Sequence, residues 1–192
     1  KELKRFAEAV AADSPYHKMP KLGYYRLMMG SLFPDLGRLI YLDSDTIALG
    51  SLAPLWNTPL GKMTLAAVED QGAGGEVEEE KANLGVGRYM NTGLLLVDLD
   101  AWRARDLEGK LRRFGETRRD IPRFYHDQTL LNAVVEEEVL FLEPGWNLMV
   151  HCLQEGSSRA EGNPKVVHFT GWAKPWKYNS TPVPFSERYW QY

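Results

Sequence analysis

Short unbroken apolar runs recur along the chain and stop at polar residues: RLIYL at 38–42, LAAV at 65–68, NTGLLLVDL at 91–99, VLFL at 139–142 and VVHF at 166–169. Runs of this length predict strands, and the one at 91–99 predicts a strand buried on both faces. Between the runs, apolar residues repeat at helical spacing. Leu3, Phe6, Ala7 and Val10 share a face and predict a helix over 1–12. A second apolar helix is expected over 24–33, ended by Pro34-Asp35. A short helical turn is expected at 51–56, an amphipathic helix over 101–118 and another helix over 127–135. The stretch QGAGGEVEEEKA at 71–82 is Gly-rich and acidic and predicts a mobile loop. Residues 170–187 are rich in Pro, Gly, Ser and Thr, and an aromatic segment, RYWQY, follows. Strands alternating with helices predict an α/β domain with a mostly parallel central sheet flanked by helices. No internal repeat or low-complexity linker divides the chain, so 1–192 reads as one domain.

In such sheets ligands bind beyond the carboxyl ends of the strands. Asp43 and Asp45 follow the first run, Glu69 and Asp70 follow LAAV, and His168 lies within VVHF. Two carboxylates one residue apart repel each other and are costly to desolvate, so a cation should offset them or the site should stay wet. In an extended segment residues i and i+2 point to one side, which lets Asp43 and Asp45 face one ion. Carboxylate oxygens suit hard ions such as Mn²⁺ or Mg²⁺, and an added imidazole tilts the choice toward Mn²⁺. The plainer alternative is a surface turn in which each Asp caps a backbone N–H. His168 is followed by FTGWAKPW. There Gly171 permits close backbone approach and Lys174 supplies a point charge for a phosphate.

Charge and composition narrow the field. Net charge is −3 over 192 residues, which argues against nonspecific nucleic-acid binding. The single cysteine, Cys152, rules out an intrachain disulfide and a cysteine-only metal cluster, and fits a reducing compartment. No apolar run approaches the ~20 residues of a membrane span. A cytoplasmic location follows as the expectation, with at most peripheral contact at the inner membrane face. The chain opens on KELKRFAEAV, without Met and inside a helical pattern. An N-terminal portion of the natural protein is therefore expected to be missing.

Four segments occur in order: YLDSDTIALGSLAPLW, NTGLLLVDL, YHDQTLLN and HFTGWAKPW. Together they resemble the retaining glycosyltransferases of family 8, from about Tyr24 to the C-terminus. The resemblance implies a GT-A type nucleotide-diphospho-sugar transferase fold lacking its N-terminal strand and helix. It also implies a UDP-sugar donor and a glycan or glycolipid acceptor, with glucose or galactose as the transferred hexose. By the same resemblance Asp43, Asp45 and His168 are the ligands of Mn²⁺, with Mg²⁺ as the substitute. Ser44 lies near the ribose, Gly171 and Lys174 hold the diphosphate, and Arg26 contacts the donor. Asp70 binds the donor sugar, Asn91 and Thr92 line its pocket, and Asp127 and Gln128 sit nearest the anomeric carbon.

Each residue also has a structural reading. Arg26 could be a helix-face cation, Asn91 a strand-end cap and Asp127 a helix N-cap. Glu69 rivals Asp70. Within the ordered set the functional reading is preferred for all except Glu69 and Thr92. Retention needs either two inversions through a nucleophile or a front-face route. Gln128 is a poor nucleophile, so a front-face route is expected, with Asp127 and Gln128 positioning the sugar. The rival class is a catalytically silent UDP-sugar-binding relative, and a nucleotidyltransferase ranks last because it lacks HFTGWAKPW. If the N-terminal strand is missing, the sheet should present an open edge that invites self-association. The late aromatics Trp172, Trp176, Tyr178, Tyr189, Trp190 and Tyr192 either pack the tail onto the domain or form a carbohydrate or lipid-headgroup surface.

Overall fold

The computed structural model describes residues 5–6, 21–72, 75–118, 126–154, 163–172, 174–177 and 182–192. Its strands are β1 (Arg38–Leu42), β2 (Thr46–Ala48), β3 (Leu65–Glu69), β4 (Met90–Asp98), β5 (Val139–Leu142), β6 (Leu148–Met149) and β7 (Val166–His168). They form two sheets, ordered β1-β4-β3-β5 and β2-β7-β6. β4 is the central strand, buried from Met90 to Val97, as its unbroken apolar run requires. Its side chains alternate between two cores. Leu95 and Val97 pack with Leu65, Ala67, Trp102 and Leu111, whereas Leu94 and Leu96 pack with Leu55, Ala66 and Val166.

The sheets are mixed rather than mostly parallel. β4 runs antiparallel to β1 and β3, and β7 antiparallel to β2. Only β3 with β5 and β6 with β7 are parallel among the described residues. Strand direction leaves no mark on a run buried on both faces, so periodicity could not predict it. The reversal matters for the site: it lays the start of β4 beside the ends of β1 and β3. Leu42 is opposite Leu94 and Glu69 opposite Met90.

Two helix expectations and one loop expectation are corrected. The segment 24–33 is a 3₁₀ helix over Lys21–Met28 followed by one α-turn, Met29–Leu32. The three-residue repeat of the 3₁₀ helix aligns Tyr24 and Leu27 in one row. Tyr24 and Leu27 are buried, and Gly30 approaches Trp102 so closely that a Cβ would lie 2.7 Å from its ring. The expected single helix over 101–118 is two, Leu99–Ala104 and Leu107–Thr117, broken where Asp106 takes φ 51°. The expected loop at 71–82 contains a helix, Glu76–Leu84. Left-handed glycines, Gly75 and Gly85, bound it, and Glu76, Glu78 and Glu79 in its first turn complement the helix dipole. Of the helix expected over 1–12, Arg5 and Phe6 are described and helical, with Phe6 buried, and the rest lies outside the described residues.

The tail packs back through Tyr189, whose ring meets Phe169, Trp176 and Trp190 with centroids 5.2–5.7 Å apart. Tyr192 donates to Ala48 O (2.5 Å), while Trp172 stays exposed and Tyr178 lies outside the described residues. Among the described residues β1 and β5 are the edges of the larger sheet. No described helix is long and apolar enough to cross a membrane.

Candidate functional site

β1 ends at Leu42 and the chain turns through Asp43-Ser44-Asp45 into β2. The turn is closed by Thr46, whose backbone N–H and Oγ1 both donate to Asp43 O. The aspartates therefore converge through a turn, not through the extended i, i+2 geometry expected. Asp43 N donates to Gly93 O, and Phe169 N donates to Asp45 O, so each aspartate is tied to a different sheet. The β2–β7 register puts Thr46 opposite His168, which brings the imidazole to the turn.

His168 Nε2 lies 3.2 Å from Asp45 Oδ1 and 3.7 Å from Asp43 Oδ2. One ligand atom from each of the three residues falls within 4.8 Å of the others. Oxygens and nitrogens bound to one ion at about 2.1–2.5 Å have such separations, so the residues fit a hard divalent cation. The ring of His168 needs Gly93 beneath it, because a Cβ there would lie 2.1 Å from Cε1. Lys174 Nζ donates to Asp45 Oδ2 (2.5 Å) and to Phe169 O. Burial alone would raise the Asp45 pKa. The hydrogen bonds and charges of His168 and Lys174 outweigh it and hold the carboxyl well below its usual range.

Arg26, reaching in from the 3₁₀ helix, joins this turn to the next group of residues. Its Nη2 lies 2.8 Å from Asp43 Oδ1 and its Nε 2.7 Å from Asp127 Oδ2. Its Nη1 donates to Thr92 O and Oγ1, both at 3.0 Å. The Asp127 contact is an ion pair without an aligned N–H, since Arg26 Nε points to Gly23 O and Asp127 Oδ2 accepts no hydrogen bond. Burial pushes Asp127 up to about 6, Arg26 offsets part of that, and the charge of Asp43 adds to it. Tyr41 Oη donates to Asp43 Oδ1 (2.6 Å), and the Arg26 guanidinium stacks 4.7 Å from the Tyr41 ring centre.

Behind the turn lies a buried polar network. Asp70 Oδ2 accepts from Asn91 Nδ2 and Gln128 Nε2, both at 3.0 Å, and its Oδ1 accepts from Gly72 N. Gln128 Oε1 accepts from Thr92 N, so both ends of the amide are engaged. Asn91 Oδ1 accepts from Gly93 N and Asn147 Nδ2, and Asn147 Oδ1 faces His168 Nδ1 at 3.1 Å. Asn132 clamps Met90 through both its backbone groups. Glu69, by contrast, turns outward to Arg88 at 2.8 Å. A cavity of about 550 Å³ opens in front of Asp70, walled by Gln71, Glu78, Lys81 and Arg88.

The structure thus brings together Arg26, Asp43, Asp45, Asp70, Asn91, Thr92, Asp127, Gln128, His168 and Lys174. Ser44 is the exposed residue of the turn. Gly171 is exposed with φ 76°, and a side chain there would face His151. Tyr41, Gly93 and Asn147 were not singled out in the sequence. Gly93 had a signal, as a glycine inside an apolar strand marks close approach. Asn147 had none.

Residues 2–180 match the family described as Glycosyl transferase family 8. The chain belongs to this family. It is 30% identical over 186 residues to General stress protein A of Bacillus subtilis, covering 90% of this chain and 64% of that protein. It is 28% identical over 168 residues to the lipopolysaccharide 1,2-glucosyltransferase of Escherichia coli K12, covering 80% and 48%. Among solved structures it is similar to the galactosyltransferase LgtC in complex with donor and acceptor sugar analogs. That match has a TM-score of 0.82 and 27% identity, covering 96% of this chain and 71% of LgtC. The Streptococcus pneumoniae glycosyltransferase GlyE, at TM-score 0.69 and 24% identity, shares the fold. The fold is of the GT-A type. The chain spans about two thirds or less of the curated relatives it matches.

Proposed function

We propose that this family 8 chain is the catalytic domain of a retaining hexosyltransferase. It takes glucose or galactose from a UDP-sugar to a hydroxyl of a glycan or lipopolysaccharide acceptor. The observation that carries the reading is the meeting of Asp43, Asp45 and His168 at one point, with Lys174 on Asp45 and the Asp70–Gln128 network directly behind. The three residues would hold Mn²⁺ or Mg²⁺, and the ion supplies charge stabilisation to a departing diphosphate.

The remaining work falls to side chains. Lys174, a compact ammonium, would leave Asp45 to meet a phosphate oxygen. Arg26 fixes the Asp43 and Asp127 carboxylates relative to each other. Asp70 would accept from sugar hydroxyls while Asn91 and Gln128 hold it in place. Gln128 has both ends of its amide engaged, and Asp127 is tied to Arg26. An amide is a poor nucleophile and the Asp127 carboxylate is paired with a cation, which favours a front-face route in which they position the sugar and the leaving diphosphate takes the acceptor proton. The cavity walled by Glu78, Lys81 and Arg88 has charged walls, as a hydroxyl-rich acceptor would need.

Incubation with UDP-glucose and with UDP-galactose, with Mn²⁺ and an acceptor panel, tests the proposal. UDP release with a product of retained anomeric configuration supports it, and inversion refutes it. The second reading, a silent UDP-sugar binder of the same fold, predicts metal-dependent UDP binding with no turnover on any donor.

A further inference from the structure

We propose that Asn147 is a positioning residue. Through a one-way chain of carboxamides it fixes which imidazole nitrogen of His168 faces the two aspartates. The direction of the chain follows from a single unambiguous donor, the backbone N–H of Gly93. That group donates to Asn91, so the atom it meets is the amide oxygen (3.0 Å). The Asn91 nitrogen is then the atom on Asp70 Oδ2, a carboxylate oxygen that suits a donor (3.0 Å). With the Asn91 oxygen thus placed, Asn147 must present its nitrogen to it (2.8 Å). The Asn147 oxygen is left facing His168 Nδ1 (3.1 Å), which must carry a hydrogen. Nε2 is therefore the nitrogen turned to Asp45 and Asp43. Every member is buried, Asn147 at 1% exposed and His168 at 4%, so water cannot scramble the order. A ligating imidazole is held in this way by an acceptor on its other nitrogen, and loss of that acceptor costs metal affinity about 10–100-fold. Here the acceptor is a neutral amide that also ties the imidazole, through Asn91, to Asp70, the carboxylate proposed above to bind the donor sugar.

The metal-binding part of this inference rests on the proposed function; the hydrogen-bond order does not. Two variants separate positioning from mere packing. Asn147→Leu removes the acceptor from His168 and the donor from Asn91. Asn147→Asp keeps an acceptor for Nδ1–H but sets oxygen against oxygen at Asn91. Mn²⁺ binding without nucleotide, read by the loss of the free-ion EPR signal, should weaken about 10–100-fold in Asn147→Leu and stay within about threefold of the parent in Asn147→Asp. Circular dichroism and melting curves check that both fold. In metal-free protein, ¹⁵N-edited NMR should show a protected, downfield His168 Nδ1–H in the parent and in Asn147→Asp, and none in Asn147→Leu. Equal loss of Mn²⁺ affinity in both folded variants overturns the positioning role. An unchanged His168 Nδ1–H signal in Asn147→Leu overturns it whether or not any metal binds. If the parent binds no Mn²⁺ either alone or with UDP, the proposed function fails, and the NMR comparison still decides the hydrogen-bond order.

Discussion

Replacing Gly93 by Ala adds one methyl group and should disable a site built from three other residues. The new Cβ would lie 2.1 Å from His168 Cε1 and 2.4 Å from Nδ1. Ordinary contact begins near 3.4 Å, so the ring would have to retreat by 1.3 Å. Retreat is blocked on the far side, because His168 is 4% exposed and hydrogen-bonded to the buried Asn147. If the strand yields instead, the bond from Asp43 N to Gly93 O (2.8 Å) is strained and the turn carrying the aspartates moves. Metal–ligand distances hold to about ±0.2 Å, so either outcome removes one of the three donors. Mn²⁺ affinity measured by EPR titration should fall by about two orders of magnitude, at the upper end of what displaced supporting groups cost. Gly87→Ala is the control, since nothing lies within 4 Å of a Cβ there. Affinity in a folded Gly93→Ala protein within about threefold of the parent would show that the His168 ring does not need Gly93 beneath it.

Two more outcomes follow from the charges. Lys174 sits on Asp45 Oδ2 at 2.5 Å, so its charge competes with an arriving cation for that carboxylate. Lys174→Met should therefore tighten binding of Mn²⁺ alone about fivefold, from ~1 kcal/mol for a part-exposed ion pair. It should weaken binding of UDP in the presence of Mn²⁺, and a loss of Mn²⁺ affinity in its absence would refute that competition. Asp127 has its folded-state pKa raised from 3.8 to about 6, so the folded state holds that proton more tightly than the unfolded one. Its contribution to stability is greatest below about pH 4 and is lost as pH rises through 6. At 1.36 kcal/mol per pH unit the swing is about 3 kcal/mol. Denaturant unfolding in EDTA should show the parent losing about that much relative to Asp127→Asn between about pH 4 and pH 7. A difference that does not vary with pH would contradict the assignment.

The strand ends and the Asp43–Asp45–His168 cluster, which could hold a metal, were legible because each carried a local signal. Arg38–Leu42, Asp127–Val135 and Val139–Leu142 have the bounds that their apolar runs predicted. Asp43, Asp45 and His168 were found as a motif and then joined by the family resemblance. The Glu76–Leu84 helix is hidden because the glycines just before it suggest a loop, whereas Gly75, like Gly85 after it, serves as a left-handed helix end. Strand direction was illegible because β4 is apolar on both faces. The break at Asp106 was hidden within a continuous amphipathic pattern. Arg105, beside it, turns to Glu138 at 2.8 Å, a contact that no local pattern encodes. Asn147 shows the limit most clearly: its partners are Asn91, 56 residues away, and His168, 21 residues away. Only the fold places those three amide and imidazole groups in line.

Calorimetric titration of UDP into the chain, with Mn²⁺ and then with EDTA, tests the account most directly. Saturable binding with Mn²⁺ that vanishes with EDTA, and that Asp45→Ala abolishes, is the predicted result. Binding unaltered by EDTA and by Asp45→Ala, or no binding in either condition, would contradict it.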